Sequence, residues 1–519
     1  MKQHGGSGPW PRLVSLVSAL ILSACGASSV PSVEPQAGLG SGPACEPGSA
    51  SRAGANQLRR DGRYMVDHQN RIVLLHGMNA VWKLRDDNNY TPPDEPRGFT
   101  AADADWLRDH GFNTVRLGVI FAGVMPQEGQ IDHAYLAGID RVVQLLASRG
   151  IYVMFDFHQD MYSEKYGGEG FPDWSVYDDG VPATNIGFPQ TYFTPAVGRA
   201  FDNFWQNKAG LWDRYAEAWT AVAAKWKDQP YHGGYDLLNE PYPGSHFASC
   251  ANTEGCPVFD TQYLQPMHEH MMAGIRTVDP GNIVWFEPNF VFNGGAKSHY
   301  ATLAPIPDEN IGLSWHKYCV SGLVLHSQGF EDLPGCEQIH QFVTDNAEAT
   351  IQKMNATTLV TEFGASDDLA DIDQVMRQTD AQFTGWQYWA YKNWKDPTTE
   401  SQESGGQGLF TDDEDLGTVK LDKLAYLERP YPQATAGVPV ELNFDFASKT
   451  FTYRYTPRCA GGPTEIYVPE LHYPQGYTLD LHGARALSPN VLSGPNASRL
   501  RLEALPGASE VAVRITPAT

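Results

Sequence analysis

From residue 72 to residue 389, short apolar runs alternate with helical segments. That alternation constrains the fold more than any other feature of the chain. Ile151-Tyr152-Val153-Met154-Phe155 is apolar throughout, as expected of a strand buried on both faces. The same pattern gives strands at 72–75, 113–118, 235–238, 283–287, 311–315, 358–362 and 383–389. Helices fill the intervals. Thr100 caps one that runs through Asp109 and is closed by Gly111; others span 132–148 (stopped by Gly150), 197–227, 261–278, 336–354 and 368–378. Eight strands in series, most followed by a helix, predict an α/β fold with a parallel sheet closed into a (β/α)8 TIM barrel, assigned to residues 59–432.

Past Pro432 the helical period disappears. Short β-patterned runs separated by Gly, Pro and Asn turns predict a C-terminal antiparallel β-sandwich over 433–519. The amino terminus reads as processing sequence. Lys2 and Arg12 precede an apolar run at 13–22, too short to span a membrane as a stable helix and typical of an export signal. Leu22-Ser23-Ala24-Cys25 resembles a bacterial lipobox. Residues 1–25 are therefore expected to be a lipoprotein-type signal peptide with Cys25 lipidated, the alternative being an ordinary signal in which Cys25 is incidental. The Gly/Ser/Pro-rich stretch 26–58 reads as a flexible tether. The expected location is outside the cytoplasm, anchored to a membrane at the cell surface or secreted.

A net charge of −24, from 37 Lys+Arg against 61 Asp+Glu, argues against a nucleic-acid partner. Export exposes the seven cysteines to an oxidising compartment. Two local disulfides are expected, Cys250–Cys256 and Cys319–Cys336, each bracing a loop beside the strand ends. Cys45 and Cys459 pair or stay free. The cysteine spacings do not resemble a zinc site, and no metal or cofactor is expected.

The strand ends carry the chemistry. At or just past them stand His76 and Asn79, Arg116, His158 and Asp160, Asn239 and Glu240, Glu287, His316 and Tyr318, Glu362, and Trp389. Any one of these alone is more simply a structural residue; a full ring of polar and aromatic groups on one face is what an active site at a barrel top requires. No Gly-rich phosphate loop, G-x-S-x-G elbow or metal-spaced His cluster occurs. What remains is a pair of carboxylates, Glu240 after the fourth strand and Glu362 after the seventh, which face one another across the barrel mouth. Paired carboxylates among aromatic walls suit glycoside hydrolysis, one protonated and the other ionised.

With Asn239-Glu240-Pro241 and Thr361-Glu362-Phe363-Gly364 in these places, the chain resembles glycoside hydrolase family 5, a retaining family. It is most similar to the endoglycoceramidases. The stretches that carry this are D-F-H-Q-D at 156–160, G-G-E-G-F-P-D-W at 167–174, N-E-P-Y-P-G at 239–244, and the β-sandwich after the barrel. The resemblance implies that Glu362 is the nucleophile and Glu240 the acid/base. It implies that Asn239 binds the sugar 2-hydroxyl, that Arg116 and Tyr318 position Glu362 as a carboxylate, and that His158, Asp160 and His316 hold sugar hydroxyls or the acid. Trp389 would be a stacking floor and Lys83 a sugar contact, with Lys392 and Trp394 as further candidates.

The implied reaction is cleavage of the β-glycosidic bond between oligosaccharide and ceramide in a glycosphingolipid, by an enzyme expected to be monomeric. The aromatic insertion at 161–193 either walls the lipid and sugar slots or only packs against the barrel. Competing readings are a family 5 β-glucosidase or endoglucanase-type enzyme acting on steryl glucosides or polysaccharide, and a catalytically silent lectin on a barrel scaffold.

Overall fold

The structure is a computed structural model of the chain. It describes residues 57–86, 89–94, 96–319, 336–394, 398, 406–487 and 499–518. The expected signal peptide, Cys25 and Cys45 lie outside the described residues.

Eight parallel strands close the barrel: His76–Ala80, Thr114–Val119, Tyr152–Phe157, His232–Asp236, Val284–Phe286, Ile311–Lys317, Thr357–Phe363 and Gly385–Tyr388. Closure is made by pairing of the eighth strand with the first, Trp386 opposite His76 and Tyr388 opposite Met78. The strands are buried along their whole length because helices cover the outside and side chains fill the inside. The helix Ala101–Asp109 begins where expected. Thr100 accepts from the Asp103 N–H while the Asp103 side chain accepts from the Thr100 N–H, a reciprocal capping box. Asp132 and Asp368 cap His133–Ala147 and Leu369–Gln382 in the same sense.

Two expectations need correction. The run at 72–75 is not the first barrel strand. Ile72–Val73 pairs with Tyr64–Val66 and with Tyr431–Thr435, and the barrel begins only at His76. His76 therefore sits at the start of its strand, far from the catalytic end, with its ring stacked between Trp386 and Tyr431. The helix expected over 197–227 is two helices, Pro195–Trp205 and Leu211–Trp226. Asn207, Ala209 and Gly210 between them all have positive φ, which no continuous right-handed helix permits.

The first of these corrections moves the boundary of the second domain. One of its two sheets has seven strands, and three of them (Arg59–Asp61, Tyr64–Val66 and Ile72–Val73) come from before the barrel. The other holds Gly437–Asp445, Thr450–Pro457, Val511–Pro517 and Tyr477–His482, all antiparallel. Alternation is plain in Thr450–Pro457, where Phe451, Tyr453 and Tyr455 point inward and are buried. The sandwich is thus threaded by both ends of the described chain and is fixed to the barrel. Tyr431 Oη donates to the Gly111 carbonyl, and Tyr467 Oη donates to Glu428.

Cys250 is bonded to Cys256, and Cys319 to Cys336. Cys459 is disulfide-bonded as well. The insertion at 161–193 packs inward. Tyr162 stacks on Phe171, whose ring meets Phe121, Phe204 and Tyr215. Tyr166 donates to Asp178, and the Trp174 indole to the Met125 carbonyl. These rings anchor the loop to the barrel helices, so the packing reading holds for Tyr162, Tyr166 and Phe171, which are all buried.

Candidate active site

Arg116, fully buried on the second barrel strand, organises the catalytic end. Its Nε donates to Asp236 (2.9 Å), Nη1 to Glu362 (2.6 Å) and Asn79 (3.1 Å), and Nη2 to Asn239 (2.9 Å). Asp156 lies 3.0 Å from Nη2 and Glu287 3.6 Å. One guanidinium thus faces four carboxyl groups, and burial forces some of them to keep their protons. Burial, aided by the charge on Asp156, lifts the Asp236 carboxyl to about 7. Burial and the neighbouring Asp236 push Glu287 well above the usual carboxylate range. Because Arg116 sees every one of these groups, a planar five-donor side chain fits here and a lysine does not.

Glu362 accepts from Arg116 on one oxygen and from Tyr318 Oη (2.8 Å) on the other. That arrangement suits an anion held rigidly at the centre of the barrel mouth. Glu240 has a different environment. Its Oε1 accepts from Asn293 Nδ2 (2.8 Å) and faces His316 Nδ1 (2.9 Å), and its backbone N–H donates to Glu287. Burial, with the charge of Asp160 as the next cause, raises the Glu240 carboxyl to about 7. Burial also lowers His316 to about 4, so its ring is neutral at pH 7. With the proton of that ring on Nδ1, Glu240 Oε1 has two donors. The carboxylic proton then belongs on Oε2.

Glu240 adopts φ +43°, a left-handed conformation that costs a non-glycine residue roughly 1–3 kcal/mol. The strand itself stops at Asp236, and Leu237–Glu240 turns out of it, which carries the carboxyl over the mouth. One oxygen of Glu240, one of Glu362 and a ring nitrogen of His316 all lie within 4.8 Å of one another. Carboxyl groups of retaining glycosidases stand about 5–5.5 Å apart, and those of inverting ones about 6.5–9.5 Å. An oxygen–oxygen approach within 4.8 Å is compatible with the retaining spacing.

A second cluster adjoins the first. His158 Nδ1 bonds Asp156 (2.8 Å), its Nε2 lies 3.6 Å from Asp160, and its ring stacks on Trp389 with centroids 5.1 Å apart. Burial lowers His158, but the charge of Asp156 together with hydrogen bonding to Asp156 and Asp160 outweighs it, and the ring is raised to about 9. Lys83 Nζ reaches Asp160 (2.7 Å), Glu169 (2.8 Å) and Thr398 (2.5 Å) and lies 5.1 Å from the Trp389 ring centroid. Lys83 thus hydrogen-bonds Asp160 and Thr398 and pairs with Glu169, so it orders its neighbours at the site. The His158–Asp160–Glu169 group has metal-like spacing, but the Lys83 ammonium already fills the place of a cation there.

Of the candidates, Glu240, Glu362, Arg116, Asn239, His316, Tyr318, His158, Asp160, Lys83 and Trp389 come together at one end of the barrel. Lys392 and Trp394 do not join them. Lys392 pairs with Asp103 (2.5 Å), and Trp394 packs edge-on to Trp82. Sequence reasoning gave no role to Asn293, Asp236 or Glu169. Asn293 lies in the loop after the fifth strand, where no local pattern marks it.

Residues 69–395 match the cellulase (glycosyl hydrolase family 5) profile, and residues 429–515 match the glycoside hydrolase family 5 C-terminal domain. Endoglycoceramidase I of Rhodococcus hoagii (strain 103S) is 37% identical over 466 residues, 88% of each chain. An endoglycoceramidase of Hydra vulgaris is 27% identical over 484 residues, covering 82% of this chain and 83% of its own. Among solved structures, endo-glycoceramidase II from Rhodococcus sp. in its ganglioside GM3 complex superposes with a TM-score of 0.72 at 28% identity. That match covers 88% of this chain and all of the other. The chain is a glycoside hydrolase belonging to glycosyl hydrolase family 5, of which it is an endoglycoceramidase-like member.

Proposed function

We propose that the protein hydrolyses the β-glycosidic bond between oligosaccharide and ceramide in glycosphingolipids, with retention of configuration. The observation that carries the chemistry is the Glu240–Glu362 pair, with oxygens within 4.8 Å and unequal surroundings. A Glu362 oxygen attacks the anomeric carbon as the bond to the ceramide oxygen breaks, and Glu240 gives that oxygen its proton. Water then attacks the glycosyl-enzyme ester, Glu240 takes a proton from it, and the Glu362 carboxylate is released. Asn239, held through its Oδ1 by Arg116, is placed to meet the 2-hydroxyl. Trp389 forms the floor beneath the sugar. A lactosyl-enzyme intermediate of endo-glycoceramidase II from Rhodococcus sp., 28% identical, supports the covalent step.

Support for a lipid leaving group comes from the acid's side of the site. The leaving oxygen departs toward Glu240, and next to it stands a connected aromatic group. Tyr192 meets Tyr242 and Phe290, and Phe247 meets Tyr242 and Phe193. Phe193, Phe247 and Phe290 are only half-buried, and Ile186 on the insertion is 52% exposed. Such a surface suits an acyl chain better than a further sugar ring.

The test is incubation with a panel of glycosphingolipids, steryl glucosides and β-glucans, with both released halves identified. Intact oligosaccharide and free ceramide are expected, and a proton spectrum should show the β-anomer first. Sugar released from polysaccharide or steryl glucoside, with glycosphingolipids untouched, would overturn the substrate assignment.

We also propose that the chain is exported and held at a membrane through Cys25. The disulfides at Cys250–Cys256 and Cys319–Cys336 support an oxidising compartment. Among the described residues no helix is long and apolar enough to cross a membrane. Cys25→Ser is expected to move the protein from the membrane fraction to the soluble fraction; a variant that stays membrane-bound refutes the anchor.

A further inference from the structure

The G-G-E-G stretch at 167–170 has a physical purpose that its sequence does not announce. Asp160 and Glu169 form an isolated antiparallel bridge: the Asp160 N–H donates to the Glu169 carbonyl (3.1 Å), and the Glu169 N–H to the Asp160 carbonyl (2.9 Å). A Cβ on Gly168 would lie 1.8 Å from the Asp160 carbonyl oxygen. One on Gly170, at φ +122°, would lie 2.4 Å from the Gln159 Cβ. Only glycine on both sides lets the insertion lie this close to the segment following the third strand. The consequence is that the Glu169 side chain, 2% exposed, is pressed against the sugar side of the site.

There it meets Lys83 (2.8 Å), which in turn holds Asp160 (2.7 Å). One oxygen each of Asp160 and Glu169 and a ring nitrogen of His158 lie within 4.8 Å of one another. Asp160 Oδ1 also accepts from Tyr192 Oη (3.3 Å). We propose that Glu169 is a positioning residue for sugar recognition: it fixes Lys83 and Asp160 so that Asp160 and His158 meet a ring hydroxyl of the sugar lying over Trp389. The proposal rests on the glycosidase reading above. The electrostatics agree with it. Burial and the charge of Asp160 push Glu169 well above the usual carboxylate range. Asp160 is held low against its own burial by the Lys83 charge. Burial thus favours the protonated form of Glu169, while Lys83 and His158 favour the carboxylate of Asp160.

The test compares wild type and Glu169→Ala on an aryl β-glucoside and on its 3-deoxy and 4-deoxy analogues. On the parent substrate kcat/KM is expected to fall roughly 10-fold or more. On the analogue that lacks the recognised hydroxyl the same substitution should cost no more than about twofold, because the contact it disturbs is already absent. Equal losses on all three substrates, or no loss on any, overturn the proposal, since a merely structural role does not discriminate between hydroxyls. If Glu169→Ala does not fold, Glu169→Asp, which shortens the reach to Lys83, is read on the same panel with the same two outcomes. Aryl glucosides carry no lipid, so failure of this role and failure of the ceramide assignment are read separately.

Discussion

Replacing Glu362 with Gln is expected to lower kcat by on the order of 10⁴-fold or more while leaving the fold intact. An amide cannot form the glycosyl-enzyme ester, and among the described residues the other carboxyl groups on Arg116 are engaged elsewhere. Asp156, Asp236 and Glu287 all lie on Arg116 below the mouth. The fold should tolerate the change because Gln is isosteric: its Oε1 can still accept from Arg116 while its Nε2 donates to the Tyr318 oxygen, and Arg116 keeps its contacts with Asp156 and Asp236. Steady-state hydrolysis of an aryl β-lactoside, with a thermal melt as control, makes the measurement. Activity within a few-fold of wild type would remove Glu362 as the nucleophile.

The barrel was legible in the sequence because parallel strands are buried on both faces. Runs such as Ile151–Phe155 then have no polar alternation to confuse with a surface strand. Its first strand was not, for the opposite reason. His76–Ala80 contains His, Gly and Asn and carries little apolar signal, whereas the neighbouring Ile72-Val73-Leu74-Leu75 is strongly apolar and belongs mostly to the sandwich. The local hairpin with Tyr64–Val66 does not tell which sheet the strand joins, since its other partner, Tyr431–Thr435, lies more than 300 residues away by position number. The break between Trp205 and Leu211 was hidden because apolar periodicity resumes after it, and only the positive φ at Asn207, Ala209 and Gly210 separates the helices.

The site divides in the same way. Residues at strand tips could be read from the sequence, because the rise of each strand predicts which side chains reach the mouth. What they do to one another could not. That Lys83 hydrogen-bonds Asp160 and Thr398 and pairs with Glu169 follows from the insertion folding back, not from any local motif. Asn293, which donates to Glu240 Oε1, comes from a segment whose only constraint is its place after the fifth strand. Of the two readings left open for the insertion aromatics, packing holds for Tyr162, Tyr166 and Phe171, whereas Phe193, Phe247 and Phe290 remain partly open beside the acid.

Glu240→Gln is expected to separate the two half-reactions. On a glycosphingolipid the leaving alkoxide needs a proton, and loss of the acid should cost on the order of 10³-fold in kcat/KM, within the usual range for general acid catalysis. On a dinitrophenyl β-glycoside the leaving group departs unaided, so glycosylation should proceed nearly as in wild type. Deglycosylation still needs a base, giving a burst of dinitrophenolate followed by slow turnover. The wild-type kcat/KM should also fall on the alkaline side with an apparent pKa of about 7, where the buried acid loses its proton, and that limb should vanish in the variant. Stability should shift in a linked sense. A carboxyl raised from 4.5 to about 7 binds more protons folded than unfolded between those values, so folding weakens as pH rises through that window. Gln carries no charge to bury, so the variant should melt higher than wild type above pH 7 and approach it near pH 4. A variant with equal losses on both substrates and an unchanged alkaline limb would show that Glu240 is not the acid. The left-handed turn that lifts it over Glu362 would then have to serve something other than proton transfer.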